Sequence, residues 1–154
     1  MPSRSTFAVV LTLAAVLAAG PTACGGDDES DLEDYEATVV DTRNRVEVAF
    51  GNIAEAQTRA DFSNRMEEAS VAINRAVDDL NEAEVAEGFE DETAKLTTAL
   101  RGLARDLKAT AEQFRLTPEL FNTRGLNFEG WTQANRVLVS LGKQGIQVRP
   151  LERH

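Results

Sequence analysis

FEDETAKLTTALRGLARDLKATAEQF, residues 89–114, decides the fold. Its apolar or small positions are Phe89, Thr93, Leu96, Leu100, Leu103, Leu107, Thr110 and Phe114, at alternating steps of three and four. Such steps return to one side of an α-helix, whereas a half-buried strand would repeat every second residue. The same spacing runs through Leu32, Tyr35, Val39, Thr42, Val46, Ala49, Ile53 and Ala56, and again through Phe62, Met66, Ala69, Ile73, Ala76, Leu80 and Ala83. Three seams with short joins predict three antiparallel helices of about 26 residues, each roughly 39 Å long at ~1.5 Å per residue.

The breaks agree. Asp61 or Ser63 is suited to cap the second helix, and Gly88 interrupts before the acids Glu90, Asp91 and Glu92, which favour a new helix start. Thr117-Pro118-Glu119 opens a short helix that stops at Arg124-Gly125. Asn127 starts another, with Leu126 and Trp131 as a hydrophobic staple and Trp131, Ala134, Leu138 and Leu141 as a buried stripe ending at Gly142. The expectation is an all-α, up-down-up-down bundle over residues 31–143 with a broken fourth helix, followed by a loose C-terminal tail, 144–154.

Ahead of the bundle stands an uncharged apolar run, residues 7–19, behind Arg4. It is short for a bilayer core, which needs ~20 apolar residues, and has the plan of a secretory signal. Small residues then lead to Cys24, the one cysteine of the chain, so no internal disulfide is available. Residues 1–23 read as a signal peptide and 24–30 as an acidic flexible tether.

The net charge is −10 over 154 residues, and it is unevenly spread. Asp27, Asp28, Glu29, Asp31, Glu33, Asp34 and Glu36 crowd into ten residues, while residues 115–154 carry three acids against six bases. Nucleic-acid binding needs clustered cations, so an acidic chain of this kind is expected to have no nucleic-acid partner. With the fourth helix running down, Arg136, Lys143, Arg149 and Arg153 should return beside the acidic run Asp27–Glu36.

No catalytic constellation emerges. The single histidine is His154, Met66 has no companion ligand on its seam, and no Glu-x-x-His pair exists for a di-iron site. Adjacent acids such as Glu67-Glu68 and Asp78-Asp79 diverge by about 100° on a helix and do not converge on one ion. The chain is expected to be no enzyme and to hold no cofactor and no metal. One cluster stands out: Phe50, Phe62, Phe114, Phe121, Phe128 and Trp131 all fall toward the end of the expected bundle remote from the tether. They form either an aromatic plug or an apolar patch for a partner or small ligand.

Thr22-Ala23-Cys24 followed by Gly25-Gly26-Asp27-Asp28 resembles a bacterial lipoprotein maturation site, although Pro21 stands where that family usually has an aliphatic residue. With the acidic linker, the helical body and the stretches at residues 84–91 and 100–107, the chain resembles the small actinobacterial membrane-anchored lipoproteins. Some of these carry a proline just before the central turn, where Ala86 and Glu87 stand here. The resemblance implies lipidation of Cys24 and anchorage at the outer face of the cytoplasmic membrane, and brings no catalytic residue with it. The function expected is a structural or protein-interaction role, with a carrier of a small apolar ligand at the aromatic end as the alternative.

Overall fold

The computed structural model describes residues 27–117 and 127–152. These form four α-helices and no strand: α1 Asp27–Ala54, α2 Arg59–Glu82, α3 Glu90–Leu116 and α4 Glu129–Lys143. The signal peptide, Cys24 and the short helix expected from Thr117-Pro118-Glu119 lie outside the described residues, in whole or nearly so. No described helix is long and apolar enough to cross a membrane.

The chain is an all-helical bundle, as the seams required. Ser63 donates to the Ala111 carbonyl at 3.0 Å, and Thr97 to Asn81 at 3.1 Å. Arg115 pairs with Glu67 at 2.6 Å and Arg101 with Asp78 at 3.5 Å. The first half of α2 thus meets the last part of α3 and its second half meets the first part, which makes the pair antiparallel. The exposed ion pairs among them mark register more than they stabilise. Leu96, Leu100, Leu103 and Leu107 are buried on α3, together with Val39 and Val46 of α1 and Ile73 and Leu80 of α2.

Two local expectations need correcting. First, α1 begins at Asp27, inside the stretch expected to be a tether. Acidic residues suit the positive end of a helix, so the run extends α1 instead of leaving it. Second, α2 is capped by Thr58, not by Asp61 or Ser63: the Thr58 hydroxyl accepts from the Asp61 N–H at 3.1 Å. Asp61 returns the interaction by accepting from the Gln57 N–H at 3.0 Å, and it pairs with Arg65 at 2.8 Å. The backbone donor and then the guanidinium hold its carboxyl below the usual carboxylate range. Ser63 lies deeper in the helix and is buried. Between α2 and α3 the chain turns at Gly88, whose φ of 88° is left-handed and favours glycine there.

Near the start of α1, Tyr35 crosses the bundle to α3. Its ring lies 5.3 Å from that of Phe89 and its hydroxyl is 2.8 Å from Thr93 Oγ1. Thr93 spends its own proton on the Phe89 carbonyl, so Tyr35 is the donor. Burial pushes the phenol above its ordinary value, and the nearby Glu92 and Glu90 carboxylates add to the rise. The folded protein therefore keeps this proton where the unfolded chain has lost it. Stability should be intact below pH ~10 and fall as pH rises through the raised value. Because Tyr35 is the single tyrosine, tyrosinate absorbance should appear only together with loss of helical circular dichroism. Tyr35→Phe should remove this alkaline loss while costing ~1 kcal/mol at neutral pH for the missing hydrogen bond. Ionisation that precedes unfolding at the ordinary phenol value would contradict this account.

Candidate functional site

Among the described residues, the aromatic rings make two sets of contacts. Phe50 on α1, Phe128 just before α4 and Trp131 on α4 form the first, with Phe50 centred 4.5 Å from Trp131 and 6.2 Å from Phe128. Phe62 on α2 and Phe114 on α3 form the second, 5.6 Å apart with their edges turned to faces. The first set is placed by the register of α4. Asp91, Ala94, Lys95 and Thr98 of α3 share a shallow groove with Gln133, Arg136 and Val137 of α4, and Gly130 lies against Ala99 and Leu103. The fourth helix therefore covers the first half of α3 and starts about midway along it, well short of Phe114. Trp131 and Phe114 are buried, and Phe50, Phe62 and Phe128 are half-buried. Phe121 and Cys24 lie outside the described residues.

Among the described residues no group of His, Cys, Asp and Glu is placed to hold a metal ion. Polar groups do converge on the segment after α4, which sequence reasoning left as a loose tail. The backbones of α1 and α2, α2 and α3, and α3 and α4 pack closely. Between α1 and α4 lies a groove, and residues 146–152 fill it. Ile146 and Leu151 are buried, at 2% and 5% exposure, and Val148 is half-buried.

Side chains of both flanking helices hold this segment by its main chain. Glu36 accepts the Gln147 N–H at 2.8 Å, Glu47 accepts the Glu152 N–H at 2.9 Å, and Arg43 donates to the Pro150 carbonyl at 3.0 Å. From α4, the amide of Asn135 takes Leu151 in two places, accepting its N–H at 2.6 Å and donating to its carbonyl at 3.3 Å. The lengths match: the step from Glu36 to Glu47 rises about 16 Å along a helix, and that from Gln147 to Glu152 spans about 16 Å of extended chain. The segment thus runs back along α1 after a turn at Gly145, whose φ is 108°.

Arg43 anchors the arrangement. It is 7% exposed, pairs with Glu47 one turn on, and leaves its Nε without a partner. Burying a guanidinium is costly unless its donors are paired, so an unused donor here is a distinctive feature. Of the two charged ends expected to pair, Arg153 and the side chains of Asp27, Asp28 and Glu29 lie outside the described residues. Among the described residues, no ion pair joins Arg136, Lys143 or Arg149 to the acids of residues 30–36. From the C-terminal segment, it is the backbone N–H groups of Gln147 and Glu152 that meet Glu36 and Glu47.

Arg43, Glu47, Asn135, Ile146 and Leu151 escaped the reading of seams because Arg43 and Glu47 lie beside the α1 stripe and the segment is not helical. A signal was present, in the spacing Ile146-x-Val148-x-x-Leu151 after a glycine, with Pro150 favouring an extended chain. Compared with protein-family profiles, curated proteins and solved structures, the chain matches none.

Proposed function

We propose that the chain is a lipid-anchored, extracytoplasmic helical-bundle protein with a structural or protein-interaction role, and not an enzyme. The observation that carries the role is how the interior is filled. The leucines of α3 occupy the space between the helices, and the aromatic rings pack against one another at 4.5–6.2 Å. Rings that cover each other's faces favour a plug over a chamber for a small apolar ligand, the competing carrier reading. The anchor rests on the sequence around Cys24, with its apolar run and small residues.

Detergent phase partition tests the anchor. The native protein should enter the detergent phase, and Cys24→Ala should shift it to the aqueous phase or leave an unprocessed precursor. Native protein in the aqueous phase would refute lipidation. Pro21→Leu should be processed at least as fast. For the role, cross-linking on intact membranes should recover a specific protein partner, whereas a co-purifying lipid or small molecule would favour the carrier.

A further inference from the structure

The groove between α1 and α4 has the chemistry of a peptide-recognition site, and we propose that residues 146–152 are its resident, displaceable occupant. The incoming ligand is an extended segment of a partner protein carrying two aliphatic side chains five residues apart. This deepens the interaction reading above and rests on it.

Four observations support the assignment. The resident is held chiefly through its backbone, by Glu36, Arg43, Glu47 and Asn135. Main-chain hydrogen bonds with pockets for selected side chains are how extended peptides are recognised. The two buried side chains, Ile146 and Leu151, define the pockets, while Gln147, Arg149, Pro150 and Glu152 stay exposed and impose little sequence demand. Third, the resident leaves Arg43 Nε unpaired in a buried position, so a ligand with one further carbonyl in reach would satisfy a donor that the resident does not. Finally, Glu36 and Glu47 line the groove, and the chain carries −10 overall, so a neutral or basic segment is favoured over an acidic one.

Exchange between two copies is the less economical alternative. Only Gln144 and Gly145 separate α4 from Ile146, and a released segment would leave from the end of the bundle where α1 begins. So short a joint forces two copies end to end before either segment can reach the other's groove.

A fluorescein-labelled peptide of residues 145–154 serves as the probe, added to the full chain in mild detergent and read by fluorescence anisotropy. Wild type should bind weakly, because its own segment competes. Leu151→Asp, which disfavours the resident, should bind at least tenfold more tightly, since apparent affinity scales with the fraction of open groove. Adding Asn135→Ala to that variant should abolish the gain. Equal affinity for wild type and a folded Leu151→Asp variant would overturn the proposal. So would a dimer under the assay conditions, which would make a second copy the occupant. Should Leu151→Asp fail to fold, amide exchange in the wild type decides. The Leu151 and Glu152 amides should exchange at least tenfold faster than those of mid-α3, by local release. Exchange at the α3 rate would mean that the segment leaves only on global unfolding, and would refute displacement. Failure of these tests leaves the anchor and other interaction surfaces to the partition and cross-linking experiments, so the two readings fail separately.

Discussion

Leu103→Ala should destabilise the bundle by about 2–5 kcal/mol, the range for truncating a fully enclosed leucine. Leu103 is 0% exposed, with Leu100 and Leu107 on the same face of α3. It also meets the start of α4, where Gly130 lies against its backbone. Part of the loss is transfer of the removed methyl groups, and part is the cavity left where two rigid helices cannot collapse. Glu112 on the same helix is exposed, and Glu112→Ala should stay within about 0.5 kcal/mol. Urea melts of the two variants provide the check. Similar midpoints would mean that the helical phase of α3 is misassigned.

That phase was legible in the sequence because a long amphipathic helix repeats one signal many times. In the α3 seam, Thr93, Leu96, Leu100, Leu103, Leu107 and Phe114 are all buried, and only the terminal Phe89 and Thr110 are partly open. In the α1 seam, Tyr35 through Ile53 are buried and Leu32, at the outer end, is not. Periodicity fixes which side of a helix faces inward, but not how far one helix slides along the next. This is why the level at which Trp131 meets Phe50 is not legible in the seams. The offset of α4 is set by where Gly130 permits close approach to α3, a property of one residue that no pattern announces. The docking of residues 146–152 was hidden for a related reason. An extended segment held through its main chain needs few distinctive side chains of its own, and the specificity sits in Arg43, Glu47 and Asn135, which read as ordinary surface positions on helices. Thr58 does not stand out as a cap in the sequence because Asp61 and Ser63, stronger capping types, follow close behind it.

Gly130→Ala provides the complementary test, since it adds atoms where Leu103→Ala removes them. A Cβ built on Gly130 would lie 2.5 Å from Leu103 N, 2.6 Å from the Ala99 carbonyl oxygen and 2.9 Å from Leu103 Cα. All three are backbone atoms of α3, so no side chain can swing aside. The helices must separate or α4 must shift, and overpacking of this kind costs about 1–3 kcal/mol and occasionally more. The normal gain of alanine over glycine inside a helix, about 1 kcal/mol, works in the other direction. The net expectation is a loss of about 1 kcal/mol or more, with a melting temperature several degrees lower. Gly102→Ala separates the two terms. Gly102 sits within α3, and a Cβ there would meet nothing within 4 Å. That substitution should therefore stabilise by about 0.5–1 kcal/mol through helix propensity and reduced freedom of the unfolded chain. The same chemical change at two helical glycines is thus expected to have opposite signs. If both variants melted above the wild type, α4 would not approach α3 at Gly130. The register of α4 would then be different, and with it the placement of Trp131 against Phe50.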